Sequence, residues 1–196
     1  EIGFGNGELL TYFHELGHQV VGVEINNDLV ERAKKSEYAA YSGCIWEIPE
    51  IQSEKFDLIV ALAVAEHLNY NDLVELFLWA KTHLTDGGTL HLMFPEGASP
   101  FGLGYQHGDF THVSCLTKSK VEDLCNVSNM ELTSYTDEKL VSNKLCSFGF
   151  PGKVGLYLLQ TYSILVKCLI KILLLPVCPT LKLSTNSIAV ISSSKP

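Results

Sequence analysis

The chain of 196 residues opens with the stretch "EIGFGNGELL" (residues 1–10), which carries glycines at positions 3, 5 and 7 directly after an acidic residue. Glycine lets a backbone turn tightly and approach a ligand without a Cβ in the way. Apolar residues follow at helical spacing from Leu9 to Leu16, and Gly17 is placed to end that helix. The opening stretch therefore predicts a glycine-rich turn that leads directly into a helix.

The residues after this turn alternate between strand-like and helix-like patterns. Strands are predicted over 18–25, 39–46, 55–63 and 89–94, and helices over 26–35 and 71–84, with "TDGG" (85–88) as a turn. Such alternation indicates parallel strands joined by helical crossovers, and hence a doubly wound, Rossmann-like α/β sheet. A last strand in "STNSIAVISSS" (184–194) is expected to run antiparallel at the far edge of this sheet.

Composition excludes several classes of protein. The net charge of −8 provides no basic patch for nucleic acid, so we expect no nucleic-acid partner. Six cysteines occur without a C-x-x-C pair, which argues against a zinc knuckle and against a disulfide framework. Buried thiols in a reducing cytoplasm are the simpler interpretation. With 46% hydrophobic residues, the chain is expected to form one domain over 1–196.

The spacing of the glycines bears on the ligand. A dinucleotide-binding turn needs G-x-G-x-x-G, whose third glycine would fall at position 8, where this chain has Glu8. An NAD-dependent enzyme is therefore disfavoured. Glu24 ends the next predicted strand, where a carboxylate is placed to accept hydrogen bonds from both ribose hydroxyls of a nucleoside.

Four segments in order resemble the class I S-adenosylmethionine-dependent methyltransferases: "EIGFGNGELL", "VVGVEINNDLVERAK", "FDLIVALAVAEHL" and "LTDGGTLHLMFPE". The resemblance covers about the first half of the chain. It implies S-adenosylmethionine as the cofactor, with Ile25 against adenine and the glycine turn against the methionine and ribose. The implied cofactor residues are Glu1, Gly3, Phe4, Gly5, Gly7, Glu24, Ile25, Cys44, Ile45 and Ala61.

The chain departs from that family at two places. Family members often carry a "GD" pair after the third strand, whereas this chain reads Gly43-Cys44, so adenine recognition would rest on backbone groups and packing. The family also has apolar residues of the first strand before the position of Glu1. We therefore expect the first strand to be incomplete and the chain to be truncated at its N-terminus.

The segment 96–117 after the "TLHLMF" strand is a long loop rich in glycine, proline and aromatic residues, which is typical of lids and binding loops. Asp109 and His112 are close enough in sequence for the carboxylate to orient the imidazole, and His112 is a candidate general base for a hydroxyl proton. The alternative is that His112 only supports the loop. We also expect Tyr105 and His107 to contact the substrate.

This loop resembles a narrower group, the methyltransferases encoded with bacterial lipopolysaccharide and capsular-polysaccharide genes, in which "R-Y-G-D-x-T-H" is typical. Gly104 replaces the arginine, which puts an anionic substrate group in doubt. Glu66 and His67 match part of the "E-x-x-E-H" metal segment of ubiquinone-pathway and small-RNA methyltransferases, whose first position is Ala63 here. Glu66, His67 and His112 are thus an alternative set of ligands for a divalent metal ion. We expect no metal at these residues. Instead, we expect Glu66 to face the acceptor and His67 to be one of the catalytic residues.

An apolar helix is predicted over 153–176, with a narrow polar stripe of Gln160, Ser163, Lys167 and Lys171. Residues 154–175 of such a helix are suited to lie in a membrane interface or to form a groove for a lipid-linked substrate. The alternative is a helix packed on the sheet or in a dimer contact. The expected location is cytoplasmic, with peripheral membrane contact as a further possibility.

The sequence thus predicts a methyltransferase that O-methylates a sugar or glycan intermediate. One alternative is an enzyme for a quinone precursor or another small molecule. A third hypothesis, of another class, is a nucleotide-binding subunit without catalysis.

Overall fold

A computed structural model of the chain describes residues 1–36, 38–137 and 186–193. Its strands are β1 (Val21–Glu24), β2 (Ala39–Ser42), β3 (Phe56–Leu62), β4 (Leu84–Pro95), β5 (Met130–Asp137) and β6 (Asn186–Ser193). Its helices are α1 (Glu8–Glu15), α2 (Asn27–Ala33), α3 (Tyr70–His83), α4 (Leu103–Gln106) and α5 (Lys118–Ser128). The predicted alternation of strands and helices is confirmed.

The strands follow the order β2-β1 and β3-β4-β6-β5. Ile2 joins these two groups, because it forms parallel bridges to Val23 of β1 and to Ala61 of β3. Neighbours β1 and β2 are parallel, as are β3 and β4, whereas β6 runs antiparallel to both of its neighbours. The α/β Rossmann-like fold with a last antiparallel strand is therefore confirmed.

The position of β6 differs from the expected far edge of the sheet. It lies between β4 and β5, and β5 takes the edge instead. Ser187, Ala189 and Ile191 of β6 are completely buried. A strand with this burial belongs inside a sheet, where both of its backbone rows are paired, while the more exposed β5 tolerates an edge.

The "TDGG" segment also differs from the prediction, because it lies within β4 and is not a separate turn. Pairing with β3 shifts there: Phe56 pairs with Leu84, but Leu58 pairs with Thr89. Gly87 has a φ of 84°, and a Cβ on Gly88 would lie 2.9 Å from the carbonyl oxygen of Phe56. The two glycines therefore let the strand bulge and continue.

Buried apolar side chains form two clusters. The larger one contains Phe77 and Trp79 of α3, Leu90 and Leu92 of β4, and Ile191 of β6. The smaller one lies beside the glycine turn and consists of Phe4, Leu10, Val30, Ala33 and Ala40. The smaller cluster packs α1 and α2 against the first strands, and through Phe4 it also positions the glycine turn.

Among the helices of the described ranges, none is long and apolar enough to cross a lipid bilayer. The predicted apolar helix over 153–176, with its polar stripe, lies outside the described residues. Its membrane contact and the extent of the single domain remain predictions.

Candidate active site

The turn at residues 3–7 has the conformation that its glycines predict. Gly3, Gly5 and Gly7 have φ angles of 67°, 54° and 77°, which L-residues with a side chain seldom adopt. A Cβ on Gly3 would lie 2.4 Å from Cγ2 of Val64, so the turn also needs a small residue where it meets the end of β3. Nothing lies within 4 Å of a Cβ built on Gly5. The turn is therefore packed on one side and open beside Gly5.

Glu24 ties this turn to the end of β1. Its Oε2 accepts a hydrogen bond from the backbone N–H of Gly5 at 3.0 Å, and its Oε1 accepts from Ile25 at 2.9 Å and Asn26 at 3.1 Å. The side chain of Asn26 in turn caps α2 by accepting from the N–H of Asp28. The carboxylate predicted to hold the ribose thus sits at the carboxyl end of a parallel strand, beside the glycine turn.

Glu1 lies between β1 and β3, and its carbonyl oxygen accepts a hydrogen bond from Val23 at 2.9 Å. Burial raises the pKa of its side-chain carboxyl to about 6. Glu1 as a whole is half-buried, and Oε2 of its carboxyl is buried without a hydrogen-bond partner among the described residues.

The residues predicted to contact adenine separate into two groups. The side chain of Ile25 is 77% exposed, and the thiol of Cys44 is half-buried. Burial raises the pKa of the Cys44 thiol, and the nearby carboxylates of Glu47 and Asp72 raise it further. The side chain of Ile45 packs in the larger core cluster and is 3% exposed. Only its backbone is left for a ligand.

Two other predicted cofactor residues also have structural side chains. Phe4 packs in the smaller core cluster, and Ala61 is completely buried between Ile2 and Leu92. The end of β3 reaches the site two residues later, at Ala63, which has a φ of 53°. Ala63 was not among the predicted site residues, since nothing in the sequence marks an alanine for a left-handed conformation.

A cleft of about 410 Å³ opens at the carboxyl ends of β3 and β4, under the loop 96–117. It is lined by the ends of three strands, the 3-10 turn after β3 and the loop: Ala63, Glu66, Met93, Phe94, Pro95, Gly104, Tyr105, Gly108, Asp109, His112 and Asn186. Of the predicted substrate residues, Glu66 and Tyr105 line the cleft, whereas His107 does not. Asn186 of β6 was missed, because its place depends on a strand far along the chain.

Glu66 connects the 3-10 turn to the loop in two ways. Its carbonyl oxygen accepts hydrogen bonds from the N–H groups of Val113 and Ser114, both at 2.9 Å. Its side chain is 2% exposed, and its Oε2 atom has no hydrogen-bond partner in the described part of the chain. Burial raises the pKa of this carboxyl. The backbone of Glu66 therefore holds the loop, while its side chain offers a desolvated carboxyl to the cleft.

The expected pair of Asp109 and His112 takes a different form. Oδ1 of Asp109 accepts hydrogen bonds from the hydroxyl and the N–H of Thr111, at 2.6 and 2.8 Å. The hydroxyl of Thr111 lies 2.9 Å from Nδ1 of His67, whereas Nδ1 of His112 lies 3.2 Å from the carbonyl oxygen of Gln106. Asp109 therefore reaches His67 through Thr111, because the loop turns between residues 109 and 111.

The two histidines meet directly. The rings of His67 and His112 lie 4.6 Å apart, centre to centre, at an interplanar angle of 75°. Glu66, His67 and His112 each offer one possible metal-ligating atom, and these atoms lie within 4.8 Å of one another. The three residues considered as alternative metal ligands on the basis of the sequence therefore lie close together, and their carboxylate and imidazole donors are chemically suited to a metal ion.

The base of the loop is fixed by a buried carboxylate that sequence reasoning missed. Glu96 is completely buried, and its side chain accepts from the hydroxyls of Tyr135 at 2.7 Å and Ser187 at 2.6 Å. It also accepts from the N–H of Ala98 at 2.9 Å. A Cβ on Gly102 would lie 2.2 Å from the Glu96 carbonyl oxygen, so the loop folds tightly back on this residue. At the other end, the side chain of Thr117 caps α5 by accepting a hydrogen bond from the N–H of Lys120.

Comparison with known proteins extends these observations. Residues 1–92 match the family model described as a methyltransferase domain. A comparison with curated proteins finds no match.

Several solved structures share the fold. A S-adenosylmethionine-dependent methyltransferase from Archaeoglobus fulgidus is 16% identical, with a TM-score of 0.66 over 98% of this chain and 84% of that one. One from Mesorhizobium loti is 12% identical, with a TM-score of 0.64 over 97% and 88%. One from Clostridium acetobutylicum ATCC 824 is 10% identical, with a TM-score of 0.63 over 99% and 82%.

The match over the first 92 residues includes the glycine turn, Glu24 and the end of β3. The residues there fit the cofactor, because the turn is open beside Gly5 and Glu24 lies next to it. The match of residues 1–92 to the methyltransferase-domain model indicates a methyltransferase enzyme, with S-adenosylmethionine as its expected cofactor, and the solved structures show that the fold is the same.

Proposed function

We propose that the protein transfers a methyl group from S-adenosylmethionine to a hydroxyl group of a sugar or glycan intermediate. The observation that carries this proposal is the position of the cleft. Ala63 lines it, and the next residue, Val64, packs against Gly3 of the glycine turn. A hydroxyl in the cleft would therefore lie beside the turn expected to hold the cofactor.

The lining of the cleft favours a neutral, hydroxyl-bearing acceptor. Glu66, Asp109 and His112 supply polar atoms, and Phe94 and Pro95 supply an apolar wall. Among the described residues that line the cleft, none is lysine or arginine. Phosphate or carboxylate groups would meet two carboxyl side chains without a compensating cation, so phosphorylated sugars and uronic acids are disfavoured.

His112 is the proposed proton acceptor. A carbonyl oxygen only accepts hydrogen bonds, so the contact with Gln106 requires a proton on Nδ1 of His112 and leaves Nε2 with its lone pair. When bound, S-adenosylmethionine supplies an activated methyl group on a sulfonium centre. The acceptor oxygen would take that methyl group, S-adenosylhomocysteine would be the leaving group, and Nε2 of His112 would take the proton of the hydroxyl.

Positioning contributes the other part of the proposed mechanism. A methyl transfer of this kind is an in-line displacement, so holding the acceptor oxygen in line with the sulfonium centre removes much of the barrier. The loop is held at both ends for this purpose, by Glu96 at its start and by the Glu66 carbonyl near residue 113.

The rim of the loop is consistent with an acceptor that carries an apolar portion. Phe110 is fully exposed, and Tyr105 and Val113 are 61% and 62% exposed. We include a lipid-linked acceptor, and peripheral contact with a membrane surface, in the proposal on this ground.

The test is a screen for S-adenosylhomocysteine formation with four acceptor classes: neutral glycosides, phosphorylated sugars, uronic acids and catechols. Turnover confined to neutral glycosides, unchanged by a chelator, supports the proposal. Turnover of catechols that a chelator abolishes and a divalent ion restores would replace it with the small-molecule alternative and a metal at Glu66, His67 and His112. Cofactor binding without turnover of any class would favour a non-catalytic subunit.

A further inference from the structure

Thr111 lies between a carboxylate and an imidazole, and its hydroxyl contacts both. Its Oγ1 lies 2.6 Å from Oδ1 of Asp109 and 2.9 Å from Nδ1 of His67. The N–H of Thr111 donates to the same Oδ1 atom at 2.8 Å, so both donors of Thr111 face the Asp109 carboxylate. An ionised carboxylate only accepts hydrogen bonds, so the hydroxyl proton of Thr111 points to Asp109.

This direction determines the protonation of His67. A threonine hydroxyl has one proton, and once that proton points to Asp109, only oxygen lone pairs face His67. The carbonyl oxygen of Thr111 lies 3.3 Å from the same nitrogen and also only accepts. Nδ1 of His67 must therefore be the donor, and in the neutral ring Nε2 is left without a proton.

The orientation of His67 matters because its ring packs against His112. The two rings make an edge-to-face contact, and His112 lines the cleft whereas His67 stands outside it. A chain of contacts therefore runs from Asp109 through Thr111 and His67 to the ring that faces the acceptor. His67 is the only imidazole in this chain that contacts Asp109 through a hydroxyl in the described residues.

We propose that Thr111 is a positioning residue that holds His67 in one tautomer and one orientation, and through it fixes the ring of His112. Its part in turnover rests on the proposed function, because it assumes that His112 takes the acceptor proton. Its part in setting the tautomer of His67 does not depend on any acceptor.

The test compares Thr111→Val, which keeps the size of the side chain and removes the hydroxyl, with Thr111→Ser, which keeps the hydroxyl. The histidine ring nitrogens are observed by 15N NMR at about pH 9, where ordinary imidazoles are neutral. Spectra of His67→Gln and His112→Gln variants assign the two rings. Thermal unfolding checks that each variant is folded.

In the parent protein and in Thr111→Ser, we expect the His67 signals of a ring protonated at Nδ1. In Thr111→Val, we expect signals averaged between the two tautomers, because only the more distant carbonyl oxygen remains. The His112 tautomer should not change, since Gln106 holds it. A parent His67 protonated at Nε2, or an unchanged His67 spectrum in folded Thr111→Val, would overturn the proposal.

The second measurement is kinetic. We expect Thr111→Val to lower kcat about tenfold, a part of the roughly 10²–10⁴-fold that a positioned proton acceptor contributes. KM for the cofactor should not change, and Thr111→Ser should stay within about twofold of the parent. If Thr111→Val altered the His67 tautomer but kept full turnover, the proposed role of Thr111 in turnover would be overturned and its role in setting the tautomer would stand. Absence of turnover in the parent would count against the proposed function. The NMR spectra would then decide the role of Thr111 in setting the His67 tautomer.

Discussion

The backbone N–H of Gly5 donates a hydrogen bond of 3.0 Å to the carboxylate of Glu24, across 19 positions of sequence. The same carboxylate accepts two further N–H groups at the start of the connection to α2. One side chain thus fixes both the glycine turn and the end of β1, the two features expected to hold the ends of a nucleoside cofactor. The residues that stabilise this part of the fold are therefore the same ones that are expected to bind the cofactor. Matched variants are needed to separate an effect on stability from an effect on cofactor binding.

Gly5 and Gly17 form such a pair. Both have positive φ angles, 54° and 86°, and a Cβ on either would meet nothing within 4 Å. Gly5→Ala and Gly17→Ala should each cost about 1–2 kcal/mol of stability because of the left-handed conformation. Only Gly5→Ala should weaken binding of S-adenosylhomocysteine, by about tenfold or more, since its methyl group enters the space beside the turn. Equal affinities of the two variants, measured by calorimetry, would remove Gly5 from the cofactor site.

Cys44 reports on the adenine end of the proposed site. Its thiol is half-buried, and so is that of Cys115, which lies in the loop close to Gly97. At pH 9, S-adenosylhomocysteine should slow alkylation of Cys44 by iodoacetamide and leave alkylation of Cys115 unchanged, as measured by peptide mass spectrometry. Equal protection of both cysteines would indicate a general stabilisation, and no protection at Cys44 would place adenine elsewhere.

His112 should matter for turnover and not for cofactor binding. Removing a positioned proton acceptor typically costs 10²–10⁴-fold, so His112→Ala should lower kcat in that range at unchanged affinity for S-adenosylhomocysteine. His14→Ala in α1 is the matched control, because it removes an imidazole away from the cleft. Turnover by His112→Ala at the parent rate would show that another group accepts the proton.

Glu66 should make the stability of the protein depend on pH. Burial raises the pKa of its carboxyl above the ordinary value of 4.5, so the folded state binds a proton more tightly than the unfolded state. Its favourable contribution is complete below about pH 4.5 and is lost as the pH rises through the folded-state value. Urea unfolding should thus show Glu66→Gln gaining stability relative to the parent as the pH rises.

Glu50→Gln, which changes an exposed carboxylate, provides the control for that series. A constant difference between Glu66→Gln and the parent at all pH values would mean that the Glu66 carboxyl is as well solvated in the folded state as in the unfolded state.

Local patterns in the sequence were enough to predict the alternating elements and the conformation of the glycine turn. The positive φ angles at positions 3, 5 and 7 follow from glycine itself, and the place of Glu24 follows from the end of a strand. These features depend on residues close together along the chain. The prediction that β6 takes the edge was wrong, because strand order depends on burial across the whole sheet.

The side chains of the site were less predictable for the same reason. Ile45 and Ala61 were predicted to contact the cofactor, but their side chains pack in the core. Asp109 and His112 are close in sequence, yet Asp109 contacts His67, 42 positions away, through Thr111. Glu96 carried no signal in the sequence, because its three hydrogen-bond partners come from the loop, β5 and β6.

The most direct test of the central claim is calorimetric titration of the protein with S-adenosylmethionine, S-adenosylhomocysteine and NAD in parallel. We predict micromolar binding of both adenosyl compounds and no binding of NAD, because Glu8 stands where a dinucleotide turn needs its third glycine. Binding of NAD alone, or of none of the three, would contradict the assignment of the glycine turn and Glu24 to a S-adenosylmethionine site.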